Sequence, residues 1–96
     1  MMFKNLDPIL HSQLRLAVVS MLMKDEFEFN QLKEQTNASS GNLSVQIQKL
    51  KDAGYIEILK LFRNNYPLTV CRITAQGRQA YDEYVRNLRE YLGQSQ

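Results

Sequence analysis

Residues 36–56 read TNASSGNLSVQIQKLKDAGYI, a stretch in which a turn leads into a helix that stops at a glycine. The turn consists of small and capping residues, and Ser39 or Ser40 can cap the helix by accepting from its free backbone amides. Apolar residues then recur at the i, i+4 and i+7 spacing of a buried helix face: Leu43, Ile47 and Leu50. Gly54 is a natural left-handed terminator. The spacing therefore predicts a helix over about residues 40–53.

The opposite side of this predicted helix carries polar residues and one valine. The side chains expected to face outward and to bind DNA are Ser40, Asn42, Ser44, Val45, Gln48 and Lys49. Amide side chains can reach adenine edges in a major groove, and a lysine can contact phosphate or guanine. An exposed Val45 is unfavourable unless something apolar meets it, such as a thymine methyl group. The alternative is a solvated helix face with an incidental valine.

Upstream of this helix, the sequence predicts a first helix from Pro8 to about Met23, with Asp7 as its N-cap. Its main apolar stripe has helical spacing, and a second stripe lies on the opposite side: Ile9, Leu16, Val19 and Met23. A helix that is apolar on both sides is buried on both sides, and we expect a second copy of the chain to cover the second stripe. The alternative cover is the C-terminal helix of the same chain. Between the two helices, residues 27–29 alternate like a very short strand that leads into a short helix.

Downstream of Gly54, two strands over residues 55–63 and 68–73 flank a turn at residues 64–67 and form a hairpin. The hairpin carries cations and amides that suit contact with phosphates or entry into a minor groove: Lys60, Arg63, Asn64, Asn65 and Arg72. We expect these cations to lie around the turn. The alternative is charged decoration of an exposed edge strand.

A last helix is predicted from Ala75 to about Leu92, with Thr74 as its cap. Its apolar face is rich in tyrosine, and we expect it to join the first helix in a dimer interface. The interface residues predicted on this helix are Tyr81, Tyr84, Val85, Leu88, Tyr91 and Leu92. A small hydrophobic effector between the first and last helices is an alternative use of the aromatic face, without further support in the sequence.

The order of elements is helix, short helix, helix, hairpin, helix. It predicts a winged helix-turn-helix, mainly α with a small β-hairpin, in a single domain over residues 1–96. Within it, a recognition helix spans about 40–53, a wing about 55–74 and a C-terminal dimerisation helix about 75–92.

Composition adds limits on function. The net charge of +2 and pI of about 8.8 are only weakly basic, so composition alone does not indicate nucleic acid. The chain shows no signal peptide and no apolar run near the ~20 residues of a membrane span, and its one cysteine fits a reducing compartment, so we expect a cytoplasmic protein. His11 and Cys71 are too few to make a zinc site, and no catalytic motif is present. We therefore expect no metal, no cofactor and no enzyme activity.

With Gly41-Asn42-Leu43-Ser44, then Leu50 and Ala53-Gly54-Tyr55-Ile56, the sequence resembles winged-helix transcriptional regulators of the MarR and ArsR type. The resemblance extends through the chain at suitable spacings: Asp7-Pro8, His11, Arg15-Leu16, Phe29, Leu32, Lys60, Pro67, Thr69, Ile73-Thr74 and Gly77-Arg78. It departs at Gln46-Ile47, where many relatives carry His then Leu. The isoleucine keeps the core role, but no base preference is carried over from these relatives.

The resemblance implies a homodimer that binds a roughly palindromic DNA site, with recognition helices in successive major grooves and the first and last helices at the interface. Repression by occlusion is the simplest mechanism. The alternative function is a winged helix used for contact with another protein, without sequence-specific DNA binding. A cationic surface on the third helix and hairpin favours DNA, and an apolar surface there favours a protein partner.

Overall fold

A computed structural model describes residues 3–93 of the chain. Four helices and three short strands follow one another in the predicted order: α1 Gln13–Leu22, β1 Phe27–Glu28, α2 Phe29–Thr36, α3 Ser40–Asp52, β2 Ile56–Arg63, β3 Tyr66–Ile73 and α4 Ala75–Tyr91. The fold class predicted from the sequence is confirmed. No helix within the described range is both long enough and apolar enough for a membrane span.

The first helix begins at Gln13 rather than at Pro8, so the predicted start was wrong. Asp7 closes a separate turn, in which its Oδ1 accepts from the Ile9 amide at 2.8 Å and its carbonyl accepts from the His11 amide at 2.8 Å. Ser12 then has an extended backbone, with φ −152°, and its side chain caps the helix through the Arg15 amide. Two N-cap signals lie five positions apart here, and the later one starts the helix.

The helix-turn-helix is formed by α2, a short connection and α3. Asn37, with φ 58°, ends α2 in the left-handed conformation. Ser39 caps α3 by accepting from the Asn42 amide at 3.2 Å. At the other end of α3, the Gly54 amide donates to the Lys51 carbonyl at 2.9 Å and the Tyr55 amide to the Leu50 carbonyl at 3.0 Å. This pair of bonds is a Schellman motif, and the φ of +84° at Gly54 is the reason that a glycine ends the helix.

The three strands form an antiparallel sheet in the order β1-β3-β2. The hairpin of β2 and β3, which we call the wing, turns through two residues rather than the predicted four, since Tyr66 and Pro67 already belong to β3. Asn64 and Asn65 both have positive φ, 51° and 67°, as a tight hairpin turn requires, and asparagine tolerates that region. Because β1 pairs only with Val70 and Cys71, the end of the wing projects as two strands, where Pro67 is tolerated.

The core lies between α1, α2, α3 and the sheet. Val19 is fully buried in it and Tyr84 is 3% exposed, so the prediction that these two side chains face a second copy is wrong. The cover of both side chains comes from the chain itself. The Ser20 hydroxyl on α1 also donates to the Tyr81 hydroxyl on α4 at 3.0 Å. The two helices of the predicted interface therefore contact each other within one chain.

Candidate functional site

The exposed side of α3 is the candidate site that the sequence singled out. All six predicted side chains are exposed, and we call this set the reading face: Ser40, Asn42, Ser44, Val45, Gln48 and Lys49. Val45 is 52% exposed. Leu43 and Leu50 are fully buried beneath, so the orientation of α3 is fixed by the core. One acidic group was missed at this face: Asp52, whose Oδ1 accepts from the Gln48 amide nitrogen at 2.8 Å.

A series of hydrogen bonds connects α1 to the reading face. The Arg15 guanidinium donates through Nη1 to Gln46 Oε1, and Gln46 Nε2 donates to Asn42 Oδ1 at 3.1 Å. Arg15 and Gln46 are both partly buried. Sequence reasoning missed this connection because it joins residues 31 positions apart. The one available signal was the polar Gln46 at the edge of the packed side of the helix.

The turn at residues 7–11 is anchored on its far side by two tyrosines. The Tyr55 hydroxyl donates to Asp7 Oδ2 at 2.5 Å, and the Tyr84 hydroxyl lies 2.9 Å from His11 Nδ1. Burial, followed by the bond to Asp7, raises the pKa of Tyr55 to about 12, so its hydroxyl remains a donor through neutral pH. These bonds tie the turn to Tyr55, which follows α3, and to Tyr84 of α4.

The wing has two faces with different chemistry, since side chains alternate along each strand. The inner face borders a cleft shared with α3, which is lined by Phe29, Ser44, Ile47, Gln48, Ile58, Lys60 and Thr69. Lys60 donates to the Thr69 hydroxyl at 3.2 Å and has no carboxylate within ion-pair distance in residues 3–93. Further along this face lie Pro67 and Phe62, which is 76% exposed and which sequence reasoning did not single out.

The outer face of the wing carries the two predicted arginines, each bound to a carboxylate. Arg63 beside the turn is paired with Glu28 of β1. Arg72 lies at the base of the wing, where its Nε donates to Glu57 Oε1 at 2.6 Å; this bond raises the pKa of Arg72. The prediction that three cations surround the turn is therefore wrong, because Arg72 lies at the far end of the hairpin. Asn64 and Asn65 are exposed at the turn itself.

The remaining residues predicted for a dimer interface differ in exposure. Ile9, Leu16, Met23, Tyr81, Val85 and Leu88 are partly buried. Tyr91 is 45% exposed and Leu92 is 62% exposed, at the end of α4. The Tyr91 ring lies 5.1 Å from the Phe3 ring, and its hydroxyl donates to the Lys4 carbonyl at 2.6 Å. An apolar surface is therefore present at this end of the molecule.

Cys71 lies in the core on β3 and is fully buried. Burial raises the pKa of its thiol to about 11. Among residues 3–93, no group of three or more histidine, cysteine or acidic side chains is arranged to hold a metal ion.

A polar helix presented beside a β-hairpin is the arrangement of a winged-helix nucleic-acid binder. Residues 14–92 match the family of winged helix DNA-binding domains, and the chain belongs to that family. The resemblance found in the sequence is thereby confirmed at the level of the winged-helix family.

One relative is similar in sequence, and two solved structures are similar in fold. An uncharacterized protein of Methanocaldococcus jannaschii is 35% identical over 78 residues, which cover 80% of this chain and 85% of that protein. A transcriptional regulator homologue from Pyrococcus horikoshii OT3 superposes with a TM-score of 0.83 at 24% identity, over 88% of this chain and 85% of that one. PadR of Bacillus subtilis, solved with operator DNA, superposes with a TM-score of 0.70 at 17% identity, over 77% of this chain and 47% of that one.

Proposed function

We propose that this protein is a homodimeric transcriptional regulator that binds an inverted-repeat DNA site and represses by occluding it. The observation that carries the proposal is the reading face of α3, a row of exposed polar side chains around the half-exposed Val45. Membership in a family of DNA-binding domains supports it. The homodimer and the repressor role go beyond the family and belong to this proposal.

The reading face offers complementary contacts for a major groove. Asn42 and Gln48 carry amides that pair with base edges, and Lys49 carries a charge for phosphate or guanine. Val45 provides an apolar contact for a thymine methyl group. Ser40 and Ser44 lie one turn apart on the same edge of the face, where hydroxyls can bind phosphate oxygens.

The wing contributes through its inner face. Lys60 stands across the cleft from Ser44 and Gln48 and has no carboxylate to neutralise it within the described range. A phosphate that passes between α3 and the wing would meet this ammonium group. We assign Asn64 and Asn65, at the turn of the wing, to backbone contacts on the same DNA strand as the phosphate that meets Lys60. Arg72 is not assigned to DNA, because it lies on the outer face and is paired with Glu57.

Dimerisation is proposed through the end of α4. Leu92 and Tyr91 expose apolar surface there, and Val85 lies about two turns before Leu92 on the same side of the helix. A two-fold dimer presents two reading faces, and the two half-sites of an inverted repeat match that symmetry. Binding such a site over a promoter is sufficient to exclude polymerase.

A second candidate function is contact with another protein, and the end of the wing favours it. Phe62 is 76% exposed, Tyr66 is 75% exposed and Leu61 is 45% exposed. Exposed aromatic and aliphatic side chains of this kind are typical of protein interfaces. They are also compatible with apolar contacts in a minor groove. The exposed polar residues of α3 favour DNA over a protein partner.

Selection of sites from a random duplex library at about physiological salt tests the proposal. We expect enrichment of an inverted repeat whose half-sites lie about one helical turn apart. The matched negative control is Val45→Asp, which changes an exposed position and leaves the fold intact. Its carboxylate lies on the reading face, so this variant should not enrich the repeat. Absence of both enrichment and salt-sensitive binding by the unaltered protein would favour the protein-partner function instead.

A further inference from the structure

Arg15 on α1 has an unusual set of partners for a partly buried arginine. Its Nε donates to the Ile9 carbonyl at 2.6 Å, its Nη2 reaches the Pro8 carbonyl at 3.4 Å, and its Nη1 donates to Gln46 Oε1. No carboxylate of residues 3–93 lies within ion-pair distance of it. The guanidinium is planar, so bonds to two backbone carbonyls and one amide fix its orientation. Neutral acceptors alone therefore hold this cation between the turn at residues 7–11 and α3.

The hydrogen bond from Arg15 determines the orientation of the Gln46 side-chain amide. Arginine carries donors only, so the amide oxygen must face Arg15 and the amide nitrogen must face the other way. That nitrogen donates to Asn42 Oδ1 at 3.1 Å. Asn42 consequently has its oxygen engaged, and its two Nδ2 hydrogens are the free hydrogen-bonding groups at an exposed position of α3.

We propose that Arg15 is a positioning residue that acts through Gln46 and makes Asn42 present N–H donors to DNA. This inference rests on the proposed function. In the major groove, acceptor atoms belong to guanine N7 and O6, adenine N7 and thymine O4. The hydrogen-bonded series Arg15–Gln46–Asn42, which we call the relay, therefore makes the protein prefer a base with an acceptor edge at the position that Asn42 contacts. It also joins that preference to the turn at residues 7–11, which Tyr55 and Tyr84 hold in place.

A double-mutant cycle on the selected duplex tests the relay. Arg15→Lys keeps the charge, but one ammonium nitrogen replaces the three nitrogens of the planar guanidinium and cannot reach acceptors that Nε, Nη1 and Nη2 meet separately. We expect it to lower the ratio of specific to non-specific affinity about tenfold, while the slope of log K against log salt is unchanged. In an Asn42→Ala background, Arg15→Lys should cause no further loss of this ratio. Arg86→Lys, at an exposed position of α4, is the matched control and should leave the ratio unchanged.

Gln46→Glu supplies a second variant that does not depend on the stability of Arg15→Lys. A carboxylate still accepts from Arg15 but offers no donor, so Asn42 turns its amide over and presents its oxygen. Repeated site selection should then show a preference for donor edges, adenine N6 or cytosine N4, at that base position. A merely structural role for Arg15 does not move base preference.

Three results from a protein that selects a duplex overturn the inference. Additive effects of Arg15→Lys and Asn42→Ala would show that they act separately, and an unaltered base preference in Gln46→Glu would show that Asn42 is not oriented by this relay. A salt slope that falls by about one per protomer in Arg15→Ala, but not in Arg15→Lys, would make Arg15 a phosphate contact instead. If the unaltered protein selects no duplex, the proposed function falls together with the inference, whereas additivity in a selective protein overturns the inference alone.

Discussion

Gly77, in the first turn of α4, lies against the backbone of the chain. A Cβ at this position would stand 2.2 Å from the Tyr55 carbonyl oxygen and 2.9 Å from Ile73 Cγ1. We expect Gly77→Ala to lower the free energy of unfolding by about 2–3 kcal/mol, because a backbone atom cannot move aside as a flexible side chain can. Gly41→Ala, early in α3, is the matched control: nothing lies within 4 Å of its Cβ, so we expect stability to be unchanged or raised by up to about 1 kcal/mol. Urea unfolding of both variants measures the difference, and equal effects would contradict the close approach at Gly77.

Cys71 makes a second prediction at the scale of one side chain. The thiolate is the reactive form, and burial raises the pKa of this thiol to about 11, so the thiolate is scarce at neutral pH. We expect Cys71 to react with a thiol reagent only as fast as the protein unfolds, and to react quickly in urea. Since unfolding limits the native reaction, raising the pH through 8 and 9 should change its rate little, whereas the reaction of the unfolded chain rises with its thiolate fraction. Rapid labelling of the folded protein at neutral pH would contradict the buried position.

At the scale of elements, the two faces of the wing carry the same kind of charge in different settings. Lys60 faces the cleft with α3 without a carboxylate partner in the described residues, and Arg72 on the outer face is paired with Glu57. We expect Lys60→Ala to weaken binding to all duplexes and to reduce the salt slope by about one per protomer. Arg72→Ala removes the same charge and should leave both quantities nearly unchanged. Fluorescence anisotropy titrations at several salt concentrations measure them, and equal losses in the two variants would place the DNA across the outer face.

The elements also show how far local sequence signals reach. The i, i+4, i+7 spacing in α3 and the glycine at 54 are local signals, and they predicted which side chains of that helix are exposed. The start of α1 was missed because Asp7-Pro8 and Ser12 both carry N-cap signals. Contacts distant in sequence, such as the bond from Tyr55 to Asp7, hold residues 7–11 in a turn of their own, so the helix begins only after Ser12. The partners of Arg63 and Arg72 depend on strand register, which the four-residue turn predicted from the sequence got wrong. Glu28 reaches Arg63 across 35 positions, and Gln46 reaches Arg15 across 31, with no pattern in the sequence to join them.

At the scale of the whole molecule, the described part of the chain is elongated, 54 × 25 × 21 Å, and Tyr91 and Leu92 leave apolar surface near the end of α4. The proposed dimer should separate when charge is placed on that surface. Val19 is unsuitable for this purpose, since it is fully buried and a glutamate there would unfold the chain. Val85 and Leu92 lie seven residues apart on one side of α4, are accessible to different degrees, and can be changed together.

We expect Val85→Glu with Leu92→Glu to yield folded monomers, because two carboxylates desolvated at each copy of the interface oppose association. Sedimentation equilibrium measures the mass, and a thermal melt checks that the chain remains folded. In the proposed mode of binding, the monomer keeps its affinity for a single half-site and loses the gain that a second, linked half-site provides. The affinity for the inverted repeat should therefore fall to that of the half-site. Arg86→Glu, on another face of α4, alters charge by two without touching the apolar surface and should leave both mass and affinity unchanged. A variant that keeps the dimer mass would move the interface away from the end of α4, and an unaltered protein that sediments as a monomer would overturn the proposed homodimer.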